Sequence, residues 1–216
     1  DWEPYTSKSN PQSKIAETIV IEAFKLENIE VKFEYVPWKR AYETAKKGNL
    51  TGTFPWGKIA SREPDFYFSE ELIVQSKEVF FYLKGSGFVW DSFEDLKKYR
   101  IGGTRGYKSV ELLKSKGISV AEVADEDINF KNILAKRLDA YPADHIVGSY
   151  SIKKIFGVEK AALFASAPKP LDESGLYMLI SKKIPNGQEI VKKFDSGIRK
   201  LKESGRYDEI ISKALK

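Results

Sequence analysis

The feature that most constrains this chain is the repeated exchange of two hydrophobic periods along its length. Helical spacing governs Lys14 to Lys25, where Ile15, Ile19, Val20, Ala23 and Phe24 share one face, and strict alternation takes over from Val31 to Val36. Pro37 ends that strand, Trp38 to Lys47 is helical again up to a Gly48-Asn49 stop, and Leu50 to Phe54 is extended. The same exchange recurs downstream. The run Val79 to Leu83 is rich in β-formers, Ser92 and Asp95 open a short helix, and Arg100-Ile101-Gly102 is a strand leading into a helix over Lys108 to Ser115. Helices over Ile128 to Lys136 and Ala143 to Ile155 alternate with strands at Leu138 to Tyr141, Ala162 to Ala165 and Leu176 to Ile180. Two amphipathic helices close the chain, with Ile190, Val191, Phe194, Ile198 and Leu201, then Ile210, Ile211 and Leu215, as their apolar stripes. Strands that alternate with helices call for an α/β fold.

Two breaks interrupt the pattern, Gly85-Ser86-Gly87 and the Pro-rich Ala167-Pro168-Lys169-Pro170-Leu171. They divide the 216 residues into three segments, and the middle one is long enough to be a lobe of its own. The expected organisation is a discontinuous first lobe of residues 1–84 plus 172–216 and a second lobe of residues 85–171. The hinges lie near 81–85 and 168–175.

Composition narrows the function. The chain has no Cys and one His, which excludes a disulfide scaffold, a thiol nucleophile and His-based metal clusters; neither a metal nor a cofactor is expected. Its formal charge of +5 is dispersed among acidic residues, as from Lys192 to Glu203, and no basic arm or stripe points to nucleic acid. No apolar run reaches the length of a membrane span. The opening Asp1-Trp2-Glu3-Pro4-Tyr5 reads like the end of a strand, so an export signal and a few residues are expected to have been removed.

The most informative stretch runs from Thr53 to Ser69, in which a strand ends in a Pro/Gly loop and Arg62 follows within a few residues. In open α/β sheets ligands collect at the carboxyl ends of strands, and a guanidinium there matches a carboxylate with two parallel charge-assisted bonds. An Arg in such a loop also reads, on its own, as half of a surface ion pair. The order of Arg62 and Phe68-Ser69, with Trp2-x-Pro4-Tyr5 near the start, Gly102 to Gly106 opening the second lobe, and Leu138-Asp139-Ala140-Tyr141 ahead of Asp144, resembles the polar amino-acid-binding branch of the periplasmic solute-binding proteins, family 3.

That resemblance spans essentially the whole chain. It implies a two-lobed, type II periplasmic-binding-protein-like fold with a ligand cleft between the lobes. It also implies that Arg62 grips a ligand α-carboxylate, that Asp144 accepts an α-ammonium, and that Gly106 to Ser109 offer helix N-terminal amides. Tyr5, Trp38 and Trp56 fall where that family places stacking walls, although Trp38 reads equally as core and Asp144 equally as a helix-terminal acid that complements the dipole. The sequence departs from the pattern at Lys108, often Thr in that family, and at Pro55 and Trp56, where small hydroxylated residues are common. With Lys58 and Arg105 adding positive charge, an anionic or two-carboxylate ligand is an expected variant. The function implied is capture of a small polar ligand, an amino acid or related carboxylate, by lobe closure in the periplasm, and its delivery to an ABC transporter permease. The protein is expected to be a monomer and not an enzyme. A ligand-sensing module of a receptor and a dehydratase-like enzyme on the same fold are the alternatives.

Overall fold

The computed structural model describes residues 2–214. Leu215, read above as part of the last apolar stripe, lies outside the described residues, as does Asp1. Contacts divide the chain into two compact units, one formed by residues up to Ser76 together with those from Ser174 onward, the other by Lys77–Glu173.

The first unit contains α1 (Ile15–Lys25), α2 (Trp38–Lys46), β1 (Gly52–Gly57), a short 3-10 turn at Ala60–Arg62, β2 (Phe66–Phe68), α7 (Gly187–Glu203) and α8 (Arg206–Ala214). It also holds the start of β3 (Val74–Leu83) and most of β8 (Asp172–Ser181). Both β1 and β2 pair antiparallel with β8, Gly52 opposite Ile180 and Phe68 opposite Leu179. Helix α1 buries the face that its spacing predicts, and Phe24 meets Phe194 of α7 with ring centroids 5.3 Å apart. The helices touch backbone to backbone at Gly197, where a Cβ would lie 2.1 Å from the Ala23 carbonyl oxygen. Each large apolar side chain so enclosed contributes about 1.5–3 kcal/mol.

The second unit contains α3 (Phe93–Leu96), β4 (Ile101–Thr104), α4 (Lys108–Ser115), β5 (Val120–Val123), α5 (Glu126–Leu134), β6 (Tyr141–Asp144), α6 (His145–Ala161) and β7 (Phe164–Ser166). Strands β4 and β5 are parallel, and a bridge joins Ile101 to Ala140. Phe81 of β3 pairs with Tyr141 of β6 and with Ser166 of β7. The continuous apolar run of β3 follows from burial on both faces. Val79 and Phe81 enter a core with Phe130, Ile133 and Ile152, while Phe80 enters another with Trp90, Leu96 and Leu113.

Several expectations shift. The first division between units falls at Ser76 and Lys77, inside β3, ahead of the hinge expected near 81–85, whereas the return at Glu173 and Ser174 falls within the hinge expected near 168–175. An extended strand passes between two bodies by changing ladder partners, with no need of a glycine break. The strand expected at Leu138 to Tyr141 is displaced to Tyr141–Asp144, and the following helix begins at His145 because Asp144 is spent as its cap. Residues 31–36, expected as a strand, belong to no ladder. Strands β2 and β5 were not expected. Among the described residues no helix is long and apolar enough to cross a membrane.

Candidate functional site

In the first unit β1 ends at Gly57, and the 3-10 turn brings Arg62 back against that end. Arg62 Nη1 donates to the Gly57 carbonyl oxygen at 2.6 Å. The guanidinium carbon lies 4.7 Å from the Trp56 ring centroid and 5.8 Å from that of Tyr42, within cation–π range. Trp56 is itself fixed, because its Nε1 donates to Thr53 Oγ1 at 3.0 Å and it meets Trp38 edge to face at 4.9 Å. The row continues from Trp38 to Trp2, at 6.2 Å. Partial burial lowers the pKa of the Arg62 guanidinium from its ordinary value, with Tyr42 acting the other way. Among the described residues no carboxylate forms an ion pair with it. A charge that has lost part of its hydration and faces no counter-charge is suited to receive an anion.

The other residues expected in this half are placed differently from one another. Trp38 is 38% exposed and Trp56 half-buried, so both present ring surface. Tyr5 is fully buried, so it backs the Trp2 ring, 4.8 Å away, rather than offering a face of its own. Pro55 is buried within β1. Lys58 is exposed, its Nζ 5.9 Å from the Phe68 ring centroid. Tyr42 of α2, not among the residues expected at the site, completes the cage around Arg62. Its helical position four residues after Trp38 was the available signal.

In the second unit β4 ends at Thr104, and Gly106 turns the chain with φ of +83°, the left-handed region that favours glycine. Helix α4 follows with no side-chain cap at Tyr107, so its leading amides are not served by a capping side chain. Arg105 is exposed. Lys108 is engaged with Asp172, Nζ to Oδ2 2.9 Å, so its charge is compensated within the unit. At the end of β6, Asp144 Oδ1 accepts from the backbone N–H groups of Ile146 and Val147, both at 3.0 Å, which caps α6.

Around this face runs a polar chain that the sequence reading missed. Asn129 Nδ2 donates to Thr104 Oγ1 at 3.2 Å, Thr104 Oγ1 and the Tyr141 hydroxyl are 2.8 Å apart, and the Tyr141 hydroxyl donates to Glu126 Oε2 at 3.3 Å. Burial pushes the Glu126 carboxyl up to about 7, and the charges of Asp127, Asp144 and Asp125 act in the same direction. Burial likewise raises Glu78, with Asp172 and Asp144 adding to the effect and a Ser109 hydrogen bond opposing it. These acids come from β3, α5 and β6, and no local sequence pattern announces that they converge.

No protein-family model matches the chain. A probable type III restriction-modification enzyme Mod subunit of Haemophilus influenzae is 28% identical over 101 residues, 47% of this chain; the chain covers 13% of that protein's length. Solved structures match far more of it. An ancestral cationic amino-acid solute-binding protein superimposes with a TM-score of 0.78 over 100% of this chain and 92% of its own, at 18% identity. The chain has the type II periplasmic-binding-protein fold. The second substrate-binding domain of a putative amino acid ABC transporter from Streptococcus pneumoniae gives 0.73 at 19% identity, covering 94% and 89%. A histidine kinase sensor domain with similarity to periplasmic binding proteins gives 0.76 at 15% identity, covering 100% and 92%. The binding-protein fold is thus shared with both transport and sensing domains.

Proposed function

We propose that this chain is a family 3 solute-binding protein that captures an amino acid in the periplasm, as a monomer, and presents it to an ABC transporter permease. The observation that carries this reading is Arg62, a partly buried guanidinium stacked on Trp56 with no carboxylate partner among the described residues. The ligand's α-carboxylate takes that place and leaves the Gly57 contact intact. Asp144 takes the α-ammonium, and a ligand held by both units favours their closed arrangement by its differential affinity.

Of the ligand classes open to the sequence, the acids of the second unit favour a positive side chain over a second carboxylate. Lys108 is paired with Asp172, whereas Glu78 and Glu126 are raised by burial and by neighbouring negative charge, a condition that an arriving cation relieves. The resemblance to an ancestral cationic amino-acid solute-binding protein is in keeping with this choice. The chain binds without turnover.

The decisive measurement is a thermal-shift series with arginine, lysine, glutamine, glutamate and succinate. A ligand that binds only the folded state at a hundred times its Kd adds about 2.7 kcal/mol of stability. Arginine or lysine is expected to raise Tm, and Arg62→Ala to remove the rise. A shift of equal size in Arg62→Ala would overturn the assignment of Arg62, and silence from every amino acid would overturn the ligand class. A second reading, a sensory module, is favoured by the match to the histidine kinase sensor domain over the whole chain; it predicts the same ligand response. Pull-down of a permease by the liganded protein separates the two.

A further inference from the structure

Glu126 opens α5 and ends a one-way series of hydrogen bonds within the second unit. The Asn129 amide nitrogen can only donate, and it donates to Thr104 Oγ1. The Tyr141 hydroxyl has a single hydrogen and gives it to Glu126 Oε2 at 3.3 Å, so the 2.8 Å contact between Thr104 and Tyr141 is made by the Thr104 hydrogen. Every member donates towards Glu126. The carboxyl group is thereby fixed through one oxygen, and among the described residues no hydrogen bond or ion pair reaches the other, Oε1.

The surroundings of this half-buried group hold acids and no counter-charge. Asp125 and Asp127 flank it on α5, Asp144 stands at the end of β6, and the charges of all three favour its neutral form. The Tyr107 hydroxyl, ahead of α4, feels Glu126 and Glu78 of β3 together. Glu122 of β5 is taken by Lys114, and His145 at the start of α6 stacks on Phe81. Arg105, whose backbone N–H donates to the Val123 carbonyl oxygen, is exposed and forms no ion pair with Glu126 among the described residues. Burial is the largest influence on the carboxyl and, against the Tyr141 hydrogen bond, brings it up to about 7. It then carries its proton about half the time at neutral pH, and a cation set against Oε1 favours the ionised form.

A cationic amino acid, the ligand read above, supplies that cation, and the inference rests on that reading. We propose that Glu126 selects the ligand's side-chain cation and releases its proton to solvent as that cation reaches Oε1, so that capture of arginine or lysine is linked to the loss of one proton. Only the O–H bond of the acid breaks, and the Tyr141 hydrogen bond stays on Oε2. Below pH 7 the empty site must lose a proton to accept the ligand, so affinity falls with pH; above pH 7 Glu126 is already ionised and affinity levels off. A ligand without side-chain charge gains nothing from the exchange.

Calorimetric titration of the whole 216-residue chain with arginine tests this, in two buffers of unlike ionisation enthalpy and from pH 5.5 to 8. Citrulline, the neutral counterpart of arginine, and the Glu126→Gln variant are the comparisons. Arginine is expected to release about half a proton at pH 7 and close to one at pH 6, with a Kd that rises on the order of tenfold or more from pH 8 to pH 5.5. In Glu126→Gln, shown to be folded by a thermal melt, the release is lost and binding at pH 8 weakens to near its pH 5.5 level. Arginine bound without proton release would overturn the proposal and leave the ligand reading standing. Release that persists in Glu126→Gln would give the proton to another acid, and equal release with citrulline would detach it from the side-chain charge; either overturns the proposal. Silence from arginine, lysine and citrulline alike would overturn it together with the ligand reading.

Discussion

Asp144 caps a helix and is proposed to meet the ligand, and one substitution separates the two. Its carboxylate accepts from Ile146 and Val147 N–H and so caps α6, and its charge stands among Glu78 and Glu126 in the second unit. Asn caps a helix as well as Asp does, whereas Ala costs about 1 kcal/mol at such a position. Asp144→Asn is therefore expected to melt within a few degrees of the parent yet to bind its amino acid at least about tenfold more weakly. Asp144→Ala should lose both affinity and stability. Calorimetric titration beside a thermal melt reads both effects, and an Asn variant with parental affinity would leave Asp144 as a cap and nothing more. The sequence shows an acid ahead of a helix. It cannot show that the acids of β3 and α5 crowd the same face, because their convergence is a product of the fold.

At the level of elements, the sequence is most legible where one face of a segment is fully committed to a core. The stripe of α1 is buried as spaced, as is that of α7 apart from the half-buried Ile190, and the unbroken apolar run of β3 reflects its two buried faces. It is least legible where pairing decides. The alternation from Val31 to Tyr35 appears in burial, but a ladder requires a neighbour that no local pattern contains. Strand β5, Val120–Val123, is short and only partly buried, so its alternation is faint, and its assignment rests on the parallel ladder with β4. Close helix contact is another case. Gly197 sits mid-helix, where glycine lowers helix propensity by about 1 kcal/mol, and its reason is the Ala23 carbonyl 2.1 Å from where a Cβ would be. Gly197→Ala is thus expected to destabilise, by about 1–3 kcal/mol as α1 and α7 part, although helix propensity alone predicts the opposite sign. Urea denaturation of the variant decides between the two signs.

At the scale of the whole molecule, the chain crosses between its two units in extended strands, β3 outward and β8 on the return, and each unit holds one of the two groups proposed to meet the ligand. If one amino acid engages Arg62 and Asp144 together, weakening either contact removes the advantage that the other gains from the closed arrangement. The two losses then share a common part. In a double-mutant cycle with Arg62→Lys, which keeps the charge but not the fork, and Asp144→Asn, which keeps the cap but not the charge, the double variant should lose less binding free energy than the sum of the single losses, by on the order of 1 kcal/mol or more. Additive losses would mean that the two groups meet their partners independently, and Arg62 would remain an anion site of the first unit alone. Conservative replacements matter here, because both leave the local hydrogen bonds of their own unit a partner and so keep folding out of the comparison.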